Sequence, residues 1–162
     1  IIRKLHNLLT DNHLTIATAE SCTGGLISSK LTQSSGSSSY YHGSIIAYHN
    51  NIKKNLLKVS STTLENFGAV FEETVTEMAV NVAKIMQTDL SISISGVAGP
   101  HGGSEEKPVG TIWLGFYVRG NVYTKLLRLE GSREDNRLSS CLLALEELIL
   151  YTEKDLIFGD NL

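Results

Sequence analysis

The sequence predicts an α/β fold: a three-layer α/β/α sandwich around a mixed, mostly parallel sheet of about five strands. Three observations point there. Short β-branched runs alternate with amphipathic helical patterns over the first two thirds of the chain. Two more strand-like runs, joined by Arg119-Gly120-Asn121, then read as a hairpin. Two glycine-rich segments, residues 18–25 and 95–108, fall where strands end, which is where ligands bind in such sheets.

Residues 2–10 carry Ile2, Leu5, Leu8 and Leu9 at helical spacing. Residues 13–19 read as a strand. Residues 23–32 read as a helix through Leu26, Ile27 and Leu31, with Thr23 as its expected cap. Residues 33–39 form a Ser/Gly loop. A second strand is expected over 43–48, then a helix over 50–57 capped by Asn50, then a helix over 60–66 closed by Gly68. Residues 71–86 give the clearest mid-chain helix. Val75, Met78, Ala79, Val82, Ile85 and Met86 form its apolar face, and Glu72 and Glu73 suit its N-terminal dipole. Residues 89–95 alternate strictly, with Leu90, Ile92 and Ile94 against Ser91, Ser93 and Ser95. Strands over 110–118 and 122–129 make the hairpin. A last helix over about 133–151 should face Leu138, Cys141, Leu142, Leu145, Leu148 and Ile149 inward.

The 162 residues fit one domain, residues 1–162, large enough for a proper core. With 41% hydrophobic and 19% charged residues the composition is that of a globular protein. No apolar run reaches the roughly 18 residues that span a bilayer, and no leader pattern is expected, so the reading is a cytoplasmic protein without a membrane partner. A net charge of −3 and the lack of a basic stripe argue against nucleic acid as a partner. The two cysteines, Cys22 and Cys141, match neither a disulfide framework nor a metal spacing. Cys141 sits in the apolar pattern of the last helix and is expected in the core.

The chemistry concentrates at the first glycine segment, Thr18-Ala19-Glu20-Ser21-Cys22-Thr23-Gly24-Gly25. Ser21 lies between an expected strand and an expected helix. It reads either as a nucleophile whose oxyanion backbone N–H groups would meet, or as a helix cap. Cys22 reads as a rival nucleophile or as a small buried residue. The pattern is not the G-x-S-x-G of a nucleophile elbow. Five histidines, His6, His13, His42, His49 and His101, form no H-x-x-x-H or H-E-x-x-H pair, so no zinc site is expected. His101 reads as a ligand contact or as an exposed loop residue. Lys53, shortly after Tyr48, reads as a general base if burial lowers its pKa, or as a solvated helix residue like Lys54. Arg133 and Arg137 open the last helix, where cations oppose the dipole, so an anionic ligand or partner carboxylates should explain them. A phosphotransferase P-loop is not indicated, because no G-x-x-x-x-G-K-[ST] run occurs.

At these residues the chain resembles the nicotinamide-nucleotide amidohydrolases, also known as the CinA C-terminal domain family. The signatures are residues 18–25, then Gly43 to Tyr48 with Lys53 downstream, then Ser95-Gly96-Val97-Ala98-Gly99-Pro100 and Gly102-Gly103-Ser104-Glu105-Glu106-Lys107-Pro108-Val109-Gly110-Thr111. Their order and spacing match over most of the chain. The resemblance implies an α/β/α sandwich and a metal-independent deamidase without a cofactor, acting on a small pyridine nucleotide. It would convert nicotinamide mononucleotide to nicotinate mononucleotide and ammonia. A homo-oligomer is compatible with this. The resemblance places the nucleophile on Ser21 and the base system on Lys53 and Tyr48. Substrate contacts are expected from Glu20, Cys22, Thr23, Gly24, Gly25, Gly96, Gly99, Gly102, Gly103, Thr111 and Arg133. Phe71, Ser132 and His101 depart from the residues common in the family. A non-catalytic nucleotide-binding module of the same fold is the alternative function.

Overall fold

The computed structural model describes residues 1–159. Its elements are α1 (Ile2–Asp11), β1 (Ile16–Glu20), α2 (Leu26–Leu31), β2 (Tyr41–Ile46), α3 (Asn50–Asn55), α4 (Ser61–Phe67), α5 (Glu72–Met86), β3 (Leu90–Gly96), β4 (Thr111–Val118), β5 (Asn121–Arg128) and α6 (Arg133–Phe158). The five strands form one sheet in the order β2-β1-β3-β4-β5. β1 is parallel to both β2 and β3, while β4 is antiparallel to β3 and to β5. Four of the five strands therefore share one direction, and the sheet is mixed as expected.

One face of the sheet carries the larger core. Leu5 and Leu9 of α1, Ile27 and Leu31 of α2, and Cys141, Leu145 and Leu148 of α6 pack there on Ile92, Ile94, Leu114 and Phe116. The other face is built of small residues. Ala17 and Ala19 of β1 meet Val75, Met78 and Val82 of α5. The alternating serines of β3 are buried on this side. Ser91 donates to the Ala79 carbonyl at 2.6 Å and Ser93 to the Val75 carbonyl at 2.5 Å. Each hydroxyl thereby satisfies itself on a helix backbone oxygen, which makes a polar stripe tolerable in a core. Gly115 of β4 is needed at the same contact, because a Cβ there would lie 2.5 Å from the Val75 carbonyl oxygen.

Several boundaries and caps differ from the sequence reading. His13 is not in a strand. It has φ 54, a conformation in which His is enriched, and β1 begins at Ile16. α2 starts three residues later than expected and has Gly25, φ 107, before it in place of a Thr23 cap. α3 is capped by His49, whose Nδ1 accepts from the Asn51 N–H, and Asn50 is its first helical residue. The β4–β5 turn has two residues, Arg119 (φ 48) and Gly120 (φ 99), both left-handed as a type I′ hairpin requires, and Asn121 already pairs with Val118. Ile85 and Leu138 lie on exposed faces of their helices, because no neighbouring element covers them. Ser60 caps α4 and Gly68 closes it, as expected.

The chain passes from β1 to β2 on one side and returns to β3 on the other. Beside β1 the order reverses, and in such sheets a crevice forms beyond the carboxyl ends of the strands. In the register, Glu20 of β1 lies between Ile46 of β2 and Ile94 of β3. Ser21, Ala47 and Ser95 thus emerge side by side at one edge.

Candidate active site

Ser21 follows the last residue of β1, and its N–H donates to the Ile94 carbonyl at 3.0 Å, continuing the sheet by one residue. The chain then turns, and the Gly24 N–H closes on the Ser21 carbonyl at 3.0 Å. Gly24 (φ 58) and Gly25 (φ 107) take the left-handed conformation that this turn needs.

Glu20 fixes the turn from behind. It is fully buried, and no cation pairs with it among the described residues. Its carboxylate accepts from the Thr23 hydroxyl at 2.7 Å, from the N–H groups of Ile27 and Ser28 at 2.9 and 3.0 Å, and from the Ser28 hydroxyl at 2.5 Å. The buried carboxylate supplies the cap of α2 from outside the local sequence. This corrects the expected side-chain contacts of Glu20 and Thr23 with substrate, since both side chains are fully buried and bonded to each other. Glu20→Ala should lower the unfolding free energy by about 3 kcal/mol or more, because it strands several buried donors at once. Urea titration of the variant against wild type measures this.

Lys53 is 1% exposed. α3 carries it under the carboxyl edge of the sheet, where Nζ lies 3.0 Å from Ser21 Oγ, 2.7 Å from the Ala47 carbonyl and 3.5 Å from the Tyr48 carbonyl. No carboxylate pairs with it among the described residues. Burial lowers its pKa from 10.5 to about 8, with the Cys22 thiol acting weakly the other way. A buried lysine without a counter-ion, bonded to a serine hydroxyl, is suited to exchange a proton with that hydroxyl. Cys22 differs from its neighbour. Burial pushes its thiol up to about 11, which keeps it protonated and makes it a poor nucleophile.

These groups open into a cleft of about 230 Å³ lined by Ser21, Cys22, Tyr48, Lys53, Gly96 and Arg133, and also by Asn50, Ala69, Val70, Ser95 and Ala98. None of the last five was expected to line a site: Asn50 was read as a helix cap, and Ser95 and Ala98 only as members of the second glycine signature. Ala69 and Val70 carry no chemical signal. Among the described residues, no carboxylate lines the cleft. Its polar character comes from hydroxyls, two cations and backbone.

Tyr48 stands at the mouth, 61% exposed, and its hydroxyl accepts from Arg133 Nη2 at 3.1 Å. Its hydroxyl has no bond to Ser21 or Lys53, which contact each other directly. Arg133 also donates to the Gly99 carbonyl at 2.8 Å. Two residues of the next turn of α6 act similarly. Asn136 donates to the Ala98 carbonyl at 3.0 Å, and Arg137 donates to the carbonyls of Cys22 and Thr23 at 3.1 and 3.0 Å. The start of α6 thereby holds both glycine segments. This explains the two arginines that oppose its dipole, which Ser132 offsets by capping the helix in a capping box with Asp135.

Of the remaining expected contacts, Gly96 lines the cleft and has no room for a side chain, since a Cβ would lie 2.5 Å from Ile112 Cγ1. The others lie outside it. Gly24 and Gly25 belong to the turn before α2. Gly102 and Gly103, with the exposed His101, line a separate shallow surface on the 100–109 loop. Thr111 is buried at the start of β4, and its hydroxyl has no hydrogen-bond partner. Among the described residues, no group of three or more His, Cys, Asp and Glu side chains is placed to hold a metal ion, and no helix is long and apolar enough to cross a membrane.

Comparison with known proteins gives a consistent result. The family model described as CinA C-terminal domain matches residues 1–152. A CinA-like protein of Kosmotoga olearia is 49% identical over 140 residues, covering 86% of this chain and 34% of that protein. The chain spans about a third of the length of the curated relatives that it matches. Among solved structures, a CinA superfamily protein from Enterobacter cloacae superposes with a TM-score of 0.90 at 36% identity, covering 93% of this chain and 89% of that one. The competence/damage inducible protein CihA from Agrobacterium tumefaciens superposes at 0.88 with 38% identity, covering 92% and 93%.

Proposed function

The chain belongs to the CinA C-terminal domain family, and on that premise we propose that it is a serine amidohydrolase that deamidates nicotinamide mononucleotide to nicotinate mononucleotide and ammonia. One observation carries the reading: the buried, carboxylate-free Lys53 Nζ lies 3.0 Å from Ser21 Oγ in a cleft at the carboxyl edge of the sheet. The resemblance read from the sequence supplies the substrate.

With its pKa near 8, about a tenth of the Lys53 side chains are neutral at pH 7. In that form the amine accepts the Ser21 proton along the same 3.0 Å contact, with donor and acceptor reversed. Ser21 Oγ attacks the carboxamide carbon, which the pyridinium ring makes more electrophilic. The Ser21 N–H is engaged with Ile94, so the oxyanion falls to the N–H groups of Cys22 and Thr23. The Lys53 ammonium returns the proton to the leaving nitrogen, and ammonia departs. Water, deprotonated by the same amine, then releases the acid from the acyl-serine. At about 230 Å³ the cleft is below the usual ~300–1,000 Å³ of ligand pockets. It takes the reacting ring, and the ribose phosphate extends over the rim toward Arg133.

Wild-type protein, assayed with chelator and no added metal, is expected to release ammonia from nicotinamide mononucleotide. Its kcat should rise with pH and level off above about 8 as Lys53 loses its proton. A thermal shift with the mononucleotide and no ammonia would instead identify a binding module. A pH-independent rate across 6–9 would remove Lys53 as the base.

A further inference from the structure

We propose that Arg137 is a positioning residue for the catalytic turn: its guanidinium holds the carbonyls of Cys22 and Thr23 so that the backbone N–H groups of that turn are aimed at the oxyanion. This rests on Ser21 acting as the nucleophile.

Arg137 lies on α6, 115 residues from the turn it grips, and donates through Nε to the Cys22 carbonyl at 3.1 Å and through Nη2 to the Thr23 carbonyl at 3.0 Å. No carboxylate pairs with it among the described residues. Its charge is therefore directed wholly at two successive peptide groups beside the nucleophile. In a trans peptide the C=O and N–H point to opposite sides. Holding the Cys22 carbonyl on Arg137 turns the N–H of the same peptide, that of Thr23, away from α6. Gly24 N–H, in the next peptide, is closed on the Ser21 carbonyl. The turn is thus fixed at the Cys22, Thr23 and Ser21 carbonyls, and its N–H groups have a single available direction.

The contact on the Cys22 carbonyl also strengthens the Thr23 N–H as a donor. A cation on a peptide oxygen polarises the amide and makes its N–H a better donor, an effect that grows where water is excluded. Arg137 is half-buried and the turn below it is buried, so the effect is little screened. Gly24 takes the left-handed conformation (φ 58) that brings the turn against Arg137. A lysine keeps the charge, but it cannot span two carbonyls in a fixed plane.

The test uses Arg137→Ala and Arg137→Lys, with two readouts. The first is steady-state ammonia release. The second is the rate at which a fluorophosphonate labels Ser21, followed by intact mass. There Oγ–P forms, P–F breaks with loss of fluoride, and the Ser21 proton passes to Lys53. This probe needs the nucleophile and the oxyanion donors but no pyridine-nucleotide recognition. Both variants should lose about 10-fold or more in kcat and in labelling, short of removing a donor outright. KM should stay within about twofold, and Arg137→Lys should lose less than Arg137→Ala. Millimolar guanidinium should partly restore Arg137→Ala. Unchanged labelling in folded variants overturns the proposal, as does a loss that falls on KM alone or that guanidinium leaves untouched. Wild type that is labelled but releases no ammonia refutes the substrate and spares the role of Arg137. Wild type that is not labelled at Ser21 refutes both.

Discussion

Ser21→Ala should abolish ammonia release while the protein stays folded and still binds the mononucleotide. Losing a nucleophile of this kind costs about 10⁴-fold or more in kcat, leaving only what binding and oxyanion stabilisation supply. Folding should hardly change. Among the described residues Ser21 Oγ has Lys53 as its one hydrogen-bond partner, the N–H that continues the sheet is backbone, and alanine is smaller than serine. Binding should persist because the other cleft residues are untouched. The thermal shift produced by nicotinate mononucleotide should match that of wild type within a degree or two. A variant that keeps more than about 1% of the wild-type rate would exclude Ser21 as the nucleophile.

Lys53→Met should be as inactive as the serine variant and, at pH 7, no less stable than wild type. The two halves have one cause. Burial lowers the Lys53 pKa from 10.5 to about 8, so the ammonium is less favourable in the folded chain than in the unfolded one. Below pH 8 that difference costs the native state about 3 kcal/mol. The cost shrinks as pH rises from 8 to 10.5 and is gone above 10.5. Methionine fills a similar volume without charge, at the expense of the hydrogen bonds to Ser21 and to the Ala47 carbonyl. The stability of Lys53→Met relative to wild type should thus be greatest near pH 7 and decline towards pH 10. Denaturant melts at pH 7 and pH 10 give the comparison. A variant that loses several kcal/mol at pH 7 would show that the lysine is held in place by favourable contacts and is not a strained buried cation.

The layers, the five strands and the six α-helices among the described residues were legible in the sequence, because periodicity of 2 and 3.6 survives wherever one face of an element is buried; a 3₁₀ turn over Ser37–Ser39, without a buried face, read as loop. What failed was local chemistry decided by distant residues. Thr23 has the right side chain for a cap, but a carboxylate brought in by β1 occupies that role for α2. Glu20 reads as a ligand group in one dimension and becomes a structural acceptor in three. Asn50 is an excellent cap by type, yet His49 takes the position and Asn50 turns to the cleft. Ser21 and Lys53 were identified through resemblance more than through spacing. Thirty-two residues separate them, and only the parallel pairing of β1 with β2 brings them within 3.0 Å. Arg137 gave a partial signal. Its conflict with the helix dipole indicated an unseen partner, and that partner is backbone, which has no sequence signature.

The serine stripe of β3 has a consequence for how the cleft can move. Ser91 and Ser93 lock onto two carbonyls of α5 one turn apart, so the helix can neither slide nor roll without breaking both bonds inside the core. Thr74 of the same helix donates to the Gly68 carbonyl at 2.6 Å, which fastens the segment carrying Ala69 and Val70 to it. That wall of the cleft is a fixed jaw. On the other side of the cleft, Arg133 holds the Gly99 carbonyl, and Lys107 holds the Phe67 carbonyl at 2.7 Å. The loop over residues 99–107 is thereby tied by two cations, to α6 at one end and to the end of α4 at the other.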